Sequence, residues 1–510
     1  MAADFCLAVA GGLALVLAGS LVVEAALLPR PRLKGRPATA WAVHGGVCLL
    51  AYGLELILFQ RAFFGALMAL SSLLLLVVVS NDKSKLLREP FLFQDFDYFT
   101  DLLRHPRLYL PFFGVWKALG GLAAFVLAVV AGVAMEPSLV GRGGWGPTLA
   151  ALALLGGAGG GLLAFAAHRP APCLSFDPDA DLQALGYLGF LWSYGLAERA
   201  PIPRFGNSPF SSRESAVPPP ARPDLVVVQS ESFFDARRLC PDIAPEVTAA
   251  FDRLRNTSQR HGLLTVPAWG ANTVRTEFAF LSGLGPQAMG VHRFNPYRKL
   301  AGLGIPSLAS YLKGLGYRTV CVHPYWPGFY GRDRLYPKLG FDEFVGIDGF
   351  SKSDHCGPYV GDVAVGRKVR ELLQNTVVPL FVFAITMENH GPLHWESASP
   401  ADEARLYQTP PPKGFNDLTV YLRHLLNAGR MLADIQSALA ESPREGWLCW
   451  YGDHVPILAQ VYVELGFADG RTDYFIWRRG GGQAGQPRSD LRVEELSVAL
   501  LAAMGLRTHY

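Results

Sequence analysis

Four short apolar runs in the second half of the chain each end in residues that can bind a metal or carry a proton. Leu225–Gln229 leads into Ser230-Glu231-Ser232, and Thr319–Val322 leads into His323. Leu380–Ile385 leads into Thr386-Met387-Glu388-Asn389-His390, and Trp447–Tyr451 leads into Gly452-Asp453-His454. A Glu, an Asp and a His make a mixed oxygen and nitrogen donor set, suited to a divalent cation such as Mn²⁺, Zn²⁺ or Mg²⁺. Such an ion lowers the pKa of a bound hydroxyl and neutralises a phosphoryl oxygen. Asp453 and His454 are adjacent, so both reach one ion only from a tight turn, which Gly452 suits. A single His after a strand is commonly a cap or a surface residue; four run ends of one polarity pattern point to a shared site.

A hydroxyl nucleophile has two candidates, Thr273 and Thr276, in the stretch Trp269-Gly270-Ala271-Asn272-Thr273-Val274-Arg275-Thr276-Glu277-Phe278. Small and turn-forming residues precede an apolar helical pattern, which sets a hydroxyl at a helix N-terminus, where backbone N–H groups favour anions. Thr273 could equally be an ordinary N-cap. Arg332 and Arg334, in Tyr330-Gly331-Arg332-Asp333-Arg334, read either as a phosphate clamp or as solvated surface charge. No Walker A, HExxH or GxSxG sequence occurs. Gly156–Gly161 resembles a dinucleotide loop by letter, but it lies in an apolar span where glycine permits close helix packing.

The four runs read as strands, separated by helix-like stretches near 303–315, 361–374 and 420–440. Alternating strands and helices predict an α/β domain over 223–510 with a mainly parallel sheet. In such a sheet the carboxyl ends of the strands lie at one edge, so the Glu, the two His and the Asp-His pair converge there.

The rest of the chain differs in charge. The 510 residues carry 46 Lys+Arg against 43 Asp+Glu, a net of +3, with 17% charged residues and 50% hydrophobic ones. That composition excludes a disordered chain and gives no basic excess for binding nucleic acid. Residues 1–168 hold 12 Lys/Arg and 9 Asp/Glu, leaving 34 of each for the remainder. Uncharged stretches at 5–23, 37–54, 62–81, 118–135 and 143–167 predict five transmembrane helices near 5–25, 40–59, 62–80, 114–135 and 146–167. The first lacks a basic flank and a small-residue cleavage site, so it reads as a retained helix rather than a secretory signal. Residues 169–222 read as a juxtamembrane helix over Asp179–Arg199, lying on the membrane, and a Pro-rich linker over 201–223. The seven cysteines have no zinc-type spacing; one or two disulfides or free buried thiols are both compatible with them.

Taken in order, Gln229-Ser230-Glu231-Ser232-Phe233-Phe234-Asp235, Thr273-Val274-Arg275-Thr276-Glu277-Phe278, His323 through Tyr336, Met387-Glu388-Asn389-His390-Gly391-Pro392 and Tyr451-Gly452-Asp453-His454 resemble the motifs of the lipoteichoic acid synthase family. That family belongs to the alkaline phosphatase/sulfatase superfamily. The resemblance covers roughly 223–505, and the five helices and juxtamembrane helix are similar to its membrane part. It implies one catalytic metal, Mn²⁺ in the best-known members, held by Glu231, Thr273, Asp453 and His454. It implies that Thr273 is the nucleophile. It implies that His390, His323, Arg332 and Tyr330 contact the phosphoglycerol, Tyr330 standing where the family often has Trp. The sulfatase Cys/Ser-x-Pro-x-Arg signature is absent around Thr273.

The implied activity is a membrane-bound phosphoglycerol transferase. Its donor would be phosphatidylglycerol in the lipid bilayer. Its acceptor would be a cell-surface glycan or a glycerol phosphate polymer, with capsule, periplasmic glucan and teichoic acid all open. The alternatives are a phosphoethanolamine transferase, a sulfatase or phosphodiesterase of the same superfamily, or an inactive envelope scaffold. The family works on the outer face of the cytoplasmic membrane. Five spans put the C-terminal part on the side of loops 26–39 and 81–113, which carry Arg30, Arg32, Lys34, Arg36, Lys83, Lys85, Arg88, Arg104 and Arg107. The positive-inside tendency would make that side cytoplasmic. The resemblance outweighs it in the expectation, because lipid donor and glycan acceptor meet outside.

Overall fold

The computed structural model describes residues 2–98, 115–202, 208–211, 222–482 and 486–506. The chain divides into two compact units, Met1–Pro201 and Ile202–Tyr510.

Among the described residues the first unit holds five helices long and apolar enough to cross a membrane. They are α1 (Ala2–Glu24), α2 (Ala38–Phe59), α3 (Ala62–Leu87), α4 (Val115–Met135) and α5 (Trp145–His168). They match the five expected spans. α3 continues past the expected 80 to Leu87, carrying Lys83 and Lys85 in its last turns. The beginning of the fourth expected span at 114, Arg104, Arg107 and most of the expected linker lie outside the described residues. Within the glycine run, a Cβ on Gly159 would stand 3.1 Å from the Gly46 carbonyl oxygen, whereas one on Gly156, Gly157, Gly160 or Gly161 would meet nothing within 4 Å. Close packing there rests on Gly159.

The expected single helix over Asp179–Arg199 is two helices, α6 (Pro178–Leu185) and α7 (Tyr187–Ala197). The break falls at Gly186, whose φ is +68° and whose Cβ position lies 2.3 Å from the Arg36 guanidinium carbon. Only glycine satisfies both constraints. Much of the apolar side of the pair packs against protein. Phe190, Leu191 and Tyr194 are buried. Glu24, at the end of α1, accepts hydrogen bonds from the Tyr187 amide (2.6 Å) and from Arg36 (2.7 Å).

Among the described residues the second unit has ten strands: β1 (Asp224–Ser230), β2 (Arg260–Thr265), β3 (Arg318–Val322), β4 (Glu343–Val345), β5 (His355–Cys356), β6 (Tyr359–Val360), β7 (Leu380–Ile385), β8 (Gly446–Gly452), β9 (Thr472–Arg478) and β10 (Leu491–Arg492). Eight form one sheet in the order β10-β2-β9-β8-β1-β7-β3-β4; β5 and β6 pair separately. The four runs read from the sequence are the contiguous centre, β8-β1-β7-β3, and all are parallel. β9 is antiparallel to both its neighbours, so the sheet is mainly rather than wholly parallel.

The central strands carry apolar runs, Leu225–Val228, Val320–Val322, Leu380–Ile385 and Trp447–Tyr451, because both faces are covered. Val226, Val228, Val382, Ala384, Leu448 and Trp450 face one core, with α9 (Asp362–Gln374) and α10 (Asn416–Glu441) packed on it. Leu225, Val227, Phe381, Phe383, Cys449 and Tyr451 face the other, under α8 (Thr273–Ser282) and α11 (Val493–Ala503). All seven cysteines are free thiols, with Cys321 and Cys449 inside the sheet.

Candidate active site

The parallel centre of the sheet sends its chemistry-bearing residues to one edge. Glu231 follows β1, His323 follows β3, the segment 386–391 follows β7, and Asp453 and His454 follow β8. Glu231, Asp453 and His454 are buried, and one ligand atom from each lies within 4.8 Å of the others.

Thr273 joins them from the other side of the edge. It is the first residue of α8, and Asn272 before it takes the N-cap position with φ +65°. Thr273 is therefore not the cap, and its hydroxyl sits among the first amides of a helix. His454 Nε2 is surrounded by Thr273 Oγ1 at 3.5 Å, Asp453 Oδ2 at 3.4 Å and Glu231 Oε1 at 3.6 Å. These separations are long for hydrogen bonds. They fit ligands around one ion: two donors about 2.1 Å from a tetrahedral metal stand about 3.4 Å apart. His454 Nδ1 lies 3.1 Å from the Val455 carbonyl oxygen, which can only accept, so Nδ1 carries the proton and Nε2 offers its lone pair. Asp453 Oδ2 is buried and accepts no hydrogen bond, and burial, then the charge of Asp453, pushes Glu231 up to about 8. A divalent cation would occupy the orphaned oxygen and supply the missing positive charge, so the donor set fits a divalent metal ion.

Thr276, the competing hydroxyl, is fully buried and donates to the Asp453 carbonyl oxygen at 2.8 Å. It fixes the turn that carries two of the ligands. Gly452 ends β8, and a Cβ there would lie 1.8 Å from the Phe233 carbonyl oxygen. The glycine answers a close backbone approach rather than the turn conformation read from the sequence.

The two arginines separate cleanly. Arg334 is exposed beside Asp333. Arg332 is buried and donates from Nε (3.1 Å) and Nη2 (2.7 Å) to the Glu277 carboxylate. Tyr297 and Tyr336 donate to the same carboxylate. Arg332 Nη1 points at His323 Nε2, 3.2 Å away, and His323 Nδ1 faces the Ile385 carbonyl oxygen at 3.3 Å. Burial and the neighbouring guanidinium hold His323 well below the usual imidazole range, so it is neutral. The Tyr330 ring lies 5.3 Å from the Arg332 guanidinium carbon, with its backbone at φ +55°. His390 is half-buried, and burial lowers its pKa.

Several supporting residues carry no sequence signal of their own. Ser232 donates to Glu231 Oε1 (3.0 Å) while its amide donates to Asp453 Oδ1 (2.9 Å). Thr386 Oγ1 accepts the Glu231 amide (2.9 Å). Tyr421 donates to the Ser232 carbonyl oxygen (2.8 Å). Ser232 lies inside a stretch singled out for Glu231, and its φ of +58° is the mark of a strained position beside a site.

Residues 223–506 match the family model described as Sulfatase. The chain is 35% identical over 259 residues to the capsular polysaccharide biosynthesis protein RkpI of Rhizobium meliloti, covering 50% of this chain and 45% of that protein. It spans less than half the length of the curated relatives it matches. Among solved structures, the Streptococcus pyogenes phosphoglycerol transferase GacH, in complex with sn-glycerol-1-phosphate, aligns with a TM-score of 0.46 and 21% identity, over 55% of this chain and 74% of that one. The lipoteichoic acid synthase LtaP from Listeria monocytogenes aligns with a TM-score of 0.45 and 21% identity, over 56% of this chain and 72% of that one.

Proposed function

We propose that this chain, which belongs to the Sulfatase family, is a membrane-bound transferase that moves glycerol phosphate from phosphatidylglycerol to a cell-envelope glycan or polymer. The observation that carries the reading is the ring of Thr273, Glu231 and Asp453 oxygens around His454 Nε2 at the N-terminus of α8. A hydroxyl held among metal-ligand donors, with helix amides beside it, is equipped to attack a phosphodiester. The motif order set out from the sequence narrows the phosphodiester to a phosphoglycerol lipid. RkpI, named for capsular polysaccharide biosynthesis, favours a polysaccharide acceptor.

In this reading Glu231, Asp453, His454 and Thr273 would hold one divalent cation, Mn²⁺ by the family resemblance, which when bound would supply Lewis-acid charge to lower the hydroxyl pKa and neutralise phosphoryl oxygen. Thr273 Oγ1 bonds to phosphorus as the P–O bond to diacylglycerol breaks, and the diacylglycerol oxygen takes up one proton. The acceptor hydroxyl oxygen then bonds to phosphorus, Thr273 Oγ1 leaves, and the threonine regains its proton. His390 carries protons, while Arg332 and His323, pre-set by Glu277, receive phosphoryl oxygen, with Tyr330 beside the headgroup.

The catalytic unit is assigned to the outer face of the cytoplasmic membrane. Two basic residues that argue for the opposite side have local reasons for their charge. Arg36 pairs with Glu24. Lys83 pairs with Glu89 and Asp95, all of them largely buried.

The test is incubation of the full-length protein with labelled phosphatidylglycerol and Mn²⁺. Wild type should release diacylglycerol, and Thr273→Ala should not. No release by wild type would sink the donor assignment; unchanged release by Thr273→Ala would sink the nucleophile.

A further inference from the structure

The hairpin β5–β6 stands apart from the main sheet, and no sequence motif marks it. Its turn residue Gly357 has φ +68°, and a Cβ there would lie 2.5 Å from the Glu396 carboxylate. Just beyond the turn, Tyr359 is buried, with its ring edge-on to His390 at a centroid distance of 5.3 Å. The Tyr359 hydroxyl lies 3.2 Å from His390 Nδ1 and donates to the Gly391 carbonyl oxygen at 3.2 Å. His390 Nδ1 lies 2.8 Å from that same carbonyl oxygen.

These three contacts fix proton positions. The Gly391 carbonyl can only accept, so His390 Nδ1 carries a hydrogen. The phenol gives its own hydrogen to the carbonyl and turns a lone pair toward Nδ1–H. Burial pushes the phenol pKa up, so the phenol stays protonated. His390 Nε2 is then left with a lone pair, the form a proton acceptor needs.

The surroundings of the pair are held as well. Glu388, two residues before His390, accepts from the Asp362 amide at the start of α9 (2.6 Å) and from Asn427 on α10 (2.5 Å). Asn427 also lies 3.5 Å from Cys356 Sγ on β5. The Gly361 amide, just past β6, donates to the Asp354 carbonyl oxygen before β5 (2.8 Å). Hairpin, helix start and catalytic loop are therefore pinned to one another.

We propose that Tyr359 is a positioning residue that holds His390 as the Nδ1–H tautomer, with Nε2 free to take the proton of the acceptor hydroxyl. This rests on the transfer reaction proposed above. In that step the acceptor O–H bond breaks, its proton goes to Nε2, the acceptor oxygen bonds to phosphorus, and Thr273 Oγ1 is the leaving group.

The experiment is a double-mutant cycle on the full-length protein with Tyr359→Phe, His390→Gln and the double variant, read as phosphatidylglycerol turnover. Tyr359→Phe should lower kcat about 10-fold with KM for the lipid unchanged, a part of the roughly 10²–10⁴-fold that a general acid–base group contributes, because the variant keeps His390 and loses only its positioning. The double variant should be no slower than His390→Gln. Multiplying losses, or an unaltered kcat in Tyr359→Phe, would overturn the proposal. A second readout does not depend on the donor lipid. In [¹⁵N]histidine spectra, with His390 identified by its loss in His390→Gln, wild type should show a protected Nδ1–H that Tyr359→Phe loses. A missing Nδ1–H in wild type, or equal protection in the variant, would refute the role of Tyr359. An inactive wild type with the expected spectra would instead fault the donor.

Discussion

The guanidinium of Arg332 spends two of its three nitrogens on Glu277 and aims the third at His323. A buried ion pair of this kind adds little net stability, but breaking it is costly, because the remaining charge is left uncompensated. Glu277→Gln should therefore lower unfolding stability by about 3 kcal/mol and reduce transfer activity together with it. Arg334→Met, at an exposed position, should stay within about 0.5 kcal/mol of wild type. Denaturant unfolding of both variants decides the matter; equal stability of Glu277→Gln and wild type would contradict the arrangement. From the sequence alone the two arginines could not be told apart, because both stand beside Asp333 in a turn-rich stretch. What separates them is Glu277, 55 residues away in the chain, and no local pattern encodes that contact. The same limit hides Tyr359, Ser232 and Thr386, which act through hydrogen bonds to partners that tertiary folding brings to them.

Elements were legible where burial imposes a pattern. β1, β3, β7 and β8 are covered on both faces, so they appear in the sequence as unbroken apolar runs, and their parallel pairing follows from the helices between them. β2 (Arg260–Thr265) carries two basic residues and a glycine, and β10 has two residues, so neither stands out as a strand. The apolar spacing of the juxtamembrane segment continues across Gly186 and so predicts one helix, whereas the break there combines a positive φ with the close approach of Arg36 from a distant loop. Gly452 makes the same point about cause. Its chemistry-bearing neighbours suggested a turn, yet its constraint is the Phe233 carbonyl against the end of β8. Gly452→Ala should cost about 3 kcal/mol by overpacking and displace Asp453 and His454. A thermal melt and a divalent-cation titration check it; an alanine variant with unchanged Tm and metal affinity would show that the approach is not limiting.

At the scale of the whole molecule, residues 1–168 carry all of the net +3, and the rest of the chain is balanced at 34 Lys+Arg against 34 Asp+Glu. Five crossings would fix the parity of the two ends of the helical unit, while the direction rests on the proposed chemistry. A periplasm-activated reporter fused at the C-terminus should be active and a cytoplasm-dependent one silent. The opposite pair would place the site away from an external acceptor. A covalent phosphoglyceryl threonine is the intermediate this chemistry requires, and it can be observed directly. Full-length protein should be incubated with phosphatidylglycerol and Mn²⁺ in the absence of acceptor, then digested and examined by mass spectrometry. A glycerophosphoryl adduct on the peptide containing Thr273, absent from Thr273→Ala, is the result expected. Diacylglycerol release with no adduct at Thr273, or an adduct at Thr276, would contradict it.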